Sequence, residues 1–307
     1  MNDSLSAAGP MLRSRSRTAG PAGETAERLV RANGVELCVQ AFGQATDPAI
    51  LLIMRSAASM DWWEDDFCER LAAGRRFVIR YDHRDTGRSV SYQPGAPPYT
   101  LRDMAADAVG VLDAFGLARA HLAGMSMGGA IAQLVALDHP GRVGSLTLIA
   151  TSPAGPDDHG LPATPEVTRA RFAAIGEPAW SNRAAVTGYL VQLARVAAGT
   201  SRPFDEAAAR EVARRAVDRS ASIASSVTNH DLVDGGDGWR ERLGELRAPA
   251  LVVHGTDDPV LPYGHGLALA REIPGAHLLP LEQTGHELPR VVWDVVVPVI
   301  LCHTSPG

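Results

Sequence analysis

The sequence predicts an α/β fold: a mostly parallel sheet with helices on both faces and a helical cap inserted in its second half. Three observations carry this. Short apolar runs recur along the chain with helix-period stretches between them; the interval from Thr151 to about Leu246 holds helix formers and no comparable run; and one run, "HLAGMSMGGA" (121–130), ends in a glycine-flanked serine. Strands alternating with helices imply right-handed crossovers, and hence parallel strands covered on both sides. With 307 residues, 45% of them hydrophobic, the chain can bury the core of one large domain plus an insertion.

The elements follow in order. Residues 1–27 mix Ser, Arg, Gly, Ala and Pro without a signal-length apolar run and read as a flexible tail, with Met11 a second candidate start. From Val35 the alternation Val35, Leu37, Val39, Ala41 gives an edge-type strand with one apolar face. The continuous run "AILLIM" (49–54) reads as a buried parallel strand, and "RFVIRYD" (76–82), "AHLAG" (120–124), "SLTLIA" (145–150), "ALVVHG" (250–255) and "AHLLPL" (276–281) repeat the type. Leu101, Met104, Ala108, Leu112 and Phe115 share one helical face, and Ile131, Leu134 and Val135 do the same after the serine. Between residues 152 and 246, "TPEVTRARFAAIG", "NRAAVTGYLVQLARVAAG" and "DEAAAREVARRAVDRSASIA" are helix formers with proline- or glycine-marked ends. The division expected is therefore a core of 28–151 and 247–307 with a cap of 152–246. Ligands of open parallel sheets bind beyond the carboxyl ends of the strands, where such a cap would roof them.

The totals exclude several classes. A formal net charge of -6 leaves no basic surplus for nucleic acid. Cys38, Cys68 and Cys302 are odd in number and lack metal-ligand spacing, which argues against a disulfide framework or a metal site and for a reducing, cytoplasmic setting. No apolar segment reaches the eighteen or so residues of a membrane span.

A serine hydroxyl becomes a nucleophile only when it is exposed, deprotonated by a base, and its oxyanion product stabilised. Gly124-Met125-Ser126-Met127-Gly128 fits the G-x-S-x-G elbow, in which a strained strand-to-helix turn lifts the serine and the next N–H, here that of Met127, points at the developing oxyanion. The elbow needs an acid and a base later in the chain. Asp257 and Asp258, after "ALVVHG", both qualify as the acid. His286, in the glycine-containing loop after the last strand, is the best-placed base; His83 is its nearest rival, while His139, His254 and His277 sit at or within regular elements and read as structural.

The elbow "GMSMGG", the acid loop "HGTDDPVLP", the base loop "TGHELP", "VIRYDHRDTGRS" (78–89) and "YTLRDMAADAVGVLDAFGL" (99–117) together resemble the capped α/β-hydrolases, and within them the esterases of the aclacinomycin methylesterase type, over residues 33–303. The resemblance implies that the acid is the aspartate directly before proline, Asp258, with Ser126 and His286 completing the triad. It also implies that a second oxyanion N–H comes from the loop after the first buried strand, at Ser56. Relatives usually carry glycine right after that strand; this chain has Arg55, which predicts either a loop of different shape or strain at a positive φ, and Arg55 is either an outward-pointing surface arginine or a candidate contact for a carboxylate-bearing substrate. The expected activity is cofactor-free hydrolysis of carboxylic esters by a serine triad, on small-molecule substrates that analogy suggests are bulky and apolar. Carbon–carbon bond hydrolases, perhydrolases and haloperoxidases share that triad, and a noncatalytic binding protein on the same scaffold is the alternative from another class.

Overall fold

Asn33 and Gly34 sit at positive φ, 45° and 80°, and turn the chain between β1 (Arg28–Ala32) and β2 (Val35–Phe42). This is the Asn-Gly hairpin, whose two left-handed residues match the twist of the strands they join. β1 forms the sheet edge, so β2, expected there, is instead an inner strand whose last six residues are buried. The cause of this correction is β1 itself: in "RLVRA" only Val30 and Ala32 are buried, too short an apolar pattern to announce a strand.

The computed structural model describes residues 26–153 and 160–305; residues 1–25, most of the expected tail, lie outside the described residues. β3 (Ala49–Ile53), β4 (Phe77–Tyr81), β5 (Ala120–Met125), β6 (Val143–Ile149), β7 (Ala250–Gly255) and β8 (His277–Leu281) complete an eight-stranded sheet in the order β1-β2-β4-β3-β5-β6-β7-β8. β2 pairs antiparallel with β1 and β4, and every later pairing is parallel. β3, β4 and β7 are buried throughout, as strands covered on both faces must be. β8 is the other edge, where Pro280 costs no ladder bond.

Alternate strand residues feed two cores. Leu51 and Ile53 of β3 join α2 (Leu101–Ala114) and α3 (Met127–Asp138) on one face, while Ile50 and Leu52 join α1 (Asp65–Ala73) and α9 (Trp293–His303) on the other. Thr100 starts α2 with a reciprocal capping box to Asp103. Among the described residues four α-helices lie between β6 and β7: α4 (Glu166–Ala173), α5 (Arg183–Ala197), α6 (Glu206–Arg219) and α7 (Ile223–Leu232); α8 (Gly264–Glu272) follows β7. The run read from Asp205 to Ala224 is helical only to Arg219; Ser222 turns extended and caps a separate helix, α7, through the Ser225 N–H at 3.1 Å.

α5 and α6 share a small core of Val186, Leu190, Val191, Ala213 and Val217. The C-terminal end of α6 is fastened to the sheet by charge: Arg219 pairs with Glu27 at 2.8 Å, with Asp82 at 2.9 Å and with Asp61, and Arg215 reaches Asp61 at 2.8 Å. Asp61 and Asp82 are buried, so removing one arginine would strand carboxylates inside the protein. Among the described residues, no helix is long and apolar enough to cross a membrane.

Candidate active site

Ser126 joins β5 directly to α3 with φ 52° and ψ −118°, a conformation that L-residues hold only when their surroundings enforce it. Two bonds do so: the Ser126 N–H donates to Ile149 O at 2.9 Å, and Thr151 Oγ1 donates to Ser126 O at 2.7 Å. A Cβ on Gly128 would stand 2.1 Å from Ile53 O, so only glycine lets the first turn of α3 rest on the end of β3. The Met127 N–H, first in the helix, has no intrahelical acceptor and lies at the positive end of the dipole.

The turn after β7 presents Asp258, and this aspartate, not Asp257, faces His286. Asp258 Oδ2 lies 2.8 Å from His286 Nδ1, while Oδ1 accepts the Val260 and Leu261 N–H groups at 2.8 Å each. Asp257 instead accepts the Ser201 hydroxyl. Burial alone would push the Asp258 carboxyl up, but His286 and His254 outweigh it and hold the group well below the usual carboxylate range. His254 is the neighbour that sequence reasoning set aside: its Nε2 lies 2.8 Å from Leu261 O and 3.5 Å from Asp258 Oδ2, bracing the acid loop from within β7. The base loop is wedged against the end of α5. A Cβ on Gly285 would stand 2.0 Å from Gly199 N, and the His286 N–H donates to Ala197 O at 2.8 Å.

Of the two forms expected for the loop after β3, a different shape or a strained Arg55, the structure has the first. Arg55 is not at positive φ; the left-handed residue is Ala57, at φ 55°. The turn falls two residues later because buried histidines from elsewhere hold the loop. His83 Nε2 lies 2.8 Å from Met54 O, and the Ala57 N–H donates to His230 Nδ1 at 2.8 Å. His230 Nε2 is 2.8 Å from Arg84 O, so it carries the proton there and leaves Nδ1 free to accept. Burial, and secondarily His230, pull His83 down to about 3, so the rival base is a neutral prop for this loop. His230, in α7, lies 173 positions from Ala57, and no local pattern could have found it. The Ser56 N–H has no partner among the described residues.

A cavity of about 390 Å³ opens between this loop, α5, α6 and the base loop. Its walls include Trp63, Phe67, Phe204 and Trp293, together with His286 and Met125. Ser126 itself, partly exposed, is one residue beyond that wall, and no hydrogen bond joins it to His286 among the described contacts. Arg55 also lines the cavity, its guanidinium 4.8 Å from the centre of the Trp62 ring.

Comparison with known proteins agrees with this architecture. Rhodomycin D methylesterase DauP of Streptomyces sp. (strain C5) is 32% identical over 291 residues, covering 90% of this chain and 97% of the relative, and DnrP of Streptomyces peucetius matches with the same figures. Among solved structures, the esterase EaEST from Exiguobacterium antarcticum superposes with a TM-score of 0.74 at 21% identity, covering 90% of this chain and 98% of that one, a likeness of fold. The family model for the alpha/beta hydrolase fold matches residues 48–289, from the start of β3 through the base loop. This chain therefore belongs to the α/β hydrolase fold family.

Proposed function

We propose that the protein is a serine hydrolase of carboxylic esters that works without a cofactor. The observation that carries this is the pairing of His286 with Asp258 at 2.8 Å beside an elbow whose serine is held at φ 52°. In this reading Ser126 Oγ attacks the ester carbonyl as His286 Nε2 takes its proton; the tetrahedral intermediate collapses to an acyl-serine, and the imidazolium protonates the departing alcohol. Asp258, ionised, holds the Nδ1–H and stabilises the imidazolium. Water, activated by the same imidazole, then releases the acid. The Met127 and Ser56 N–H groups receive the oxyanion. The Ser126–His286 hydrogen bond forms in the substrate complex, where such contacts tighten.

Helices α4–α7, in residues 152–246, act as the cap, since α5 seats the base loop and α6 lines the cavity. The aromatic walls suit a substrate with a bulky apolar body, and the methylesterase relatives make a small methyl or alkyl ester the natural choice. Three free cysteines fit a cytoplasmic setting. The test is steady-state turnover of methyl and p-nitrophenyl esters of graded chain length, beside a peracid assay and a vinylogous diketone. Ester hydrolysis that vanishes in Ser126→Ala supports the reading; turnover of only the peracid or the diketone would replace it.

A further inference from the structure

Arg55 is a cation in the cavity wall with no carboxylate at ion-pair distance among the described residues. Its hydrogen bonding there is one long contact, 3.4 Å from Nη1 to Ser56 O, and its flat face rests on Trp62. A guanidinium has five N–H donors, so most of them remain available. Burial pulls its pKa down to about 10, and no neighbouring acid opposes that shift. The acidic side chains of the same wall are occupied: Glu64 accepts from Arg290 Nε at 2.9 Å, and Asp205 caps α6 through the Ala208 N–H at 3.0 Å. Glu287, pushed up to about 7 by burial against a backbone bond from Gly199 and the charge of Arg202, is the carboxylate that faces Arg202. Arg202, a second guanidinium of this wall, gives Nη2 to Glu282 O at 2.8 Å and buries Nη1 without a partner. The cavity thus combines apolar walls with the charge of Arg55, which no described carboxylate pairs, and it favours a ligand that brings an anion.

The place of Arg55 selects the kind of ligand. It follows Met54, whose carbonyl oxygen is 2.7 Å from where a Cβ on Gly128 would stand, so the loop bearing it abuts the elbow. Resting on the ester-hydrolase reading above, the geometry points to a substrate that carries a free carboxylate on the acyl side of its ester, a half-ester of a dicarboxylic acid, with Arg55 gripping the carboxylate. One planar guanidinium laid on an indole matches one planar, singly charged carboxylate in a two-point fork. The apolar remainder of the acyl chain then lies along Trp63, Phe67 and Trp293.

The test compares monomethyl adipate with methyl hexanoate, which differ only in a carboxylate for a methyl group. Wild type is expected to favour the half-ester by about tenfold or more in kcat/KM, mainly through KM. Arg55→Met should bring that ratio to about one, while Arg55→Lys should retain part of it. Loss of folding or damage to the loop affects both esters alike and cancels in the ratio. A wild-type preference for methyl hexanoate, an unchanged ratio in Arg55→Met, or a ratio that collapses only in Arg202→Met would overturn the proposal. Calorimetric binding of adipate against adipamide to Ser126→Ala separates this idea from the one beneath it. Selective adipate binding without any ester turnover by wild type would sink the hydrolase reading and keep the anion site; ester turnover without adipate binding would sink the anion site alone.

Discussion

Replacing His230 with leucine removes one bond that ties α7 to the loop after β3 and one that ties it to the turn after β4. The Ala57 N–H and the Arg84 carbonyl, each 2.8 Å from a His230 nitrogen, lose their partner at a site where the histidine is buried. An unsatisfied buried polar group costs about 1–3 kcal/mol, so the two together should lower stability by about 2–6 kcal/mol in urea unfolding. The loop also carries the Ser56 N–H. If that group is an oxyanion donor, releasing it should cost up to about 3 kcal/mol at the transition state, a fall of order 10²-fold in kcat with little change in KM. The histidine works only when neutral, because a proton on Nδ1 would face the Ala57 N–H. Burial holds its pKa below the ordinary 6.5, so its contribution to stability is intact above that value and is lost as pH falls through the folded value. Wild type should accordingly lose more stability than His230→Leu on acidification below 6.5. A variant destabilised as described but with kcat within about twofold of wild type would refute the reasoning, and Ser56 would lose its role.

Ala57→Gly should raise stability by up to about 1 kcal/mol, because it relieves the left-handed alanine, whereas Arg55→Gly should not; thermal unfolding of the two variants decides where the strain sits. Arg219→Met should cost about 3–5 kcal/mol in chemical denaturation by leaving the buried Asp82 without an ion-pair partner and Asp61 with Arg215 alone. Burial raises the Asp61 carboxyl, but Arg219, with Ser59 and Arg215, outweighs it and holds the group below its ordinary 3.8, so the contribution of Asp61 is full above 3.8 and is lost as pH falls through the depressed value, a loss that Arg219→Met should blunt; Asp82, raised by burial, contributes in the opposite sense. Asp258→Asn should lower kcat by about 10⁴-fold and Asp257→Asn by less than about tenfold, as read by ester turnover; the reverse order would reassign the acid.

The central strands were legible because β3, β4, β5, β6 and β7 are largely buried and so read as short, mainly apolar runs, unbroken in β3 and interrupted by Arg80 in β4, His121 in β5, Ser145 and Thr147 in β6 and His254 in β7. β1 was not, although Asn33-Gly34 marked its hairpin; a strand with two buried residues gives the turn little to punctuate. α7 was not read as a helix: the helix-forming stretch read from Asp205 ended at Ala224, past the break at Ser220 to Ser222 and only two residues into α7. At the site, Ser126, Asp258 and His286 each lie at a strand's carboxyl end, where local motifs speak. The supports of the loop after β3 do not: His83 and His230 act through single contacts made far along the chain, and the displacement of the strained position from Arg55 to Ala57 follows from those contacts.

The central claim is that Ser126 is a nucleophile activated by His286. The most direct measurement is intact-protein and peptide mass spectrometry after treatment with an active-site fluorophosphonate, on wild type, Ser126→Ala and His286→Ala. The account predicts one stoichiometric adduct on the peptide containing Ser126, absent in Ser126→Ala and slowed by orders of magnitude in His286→Ala. No adduct on folded wild-type protein, or an adduct on another residue that persists in Ser126→Ala, would contradict it.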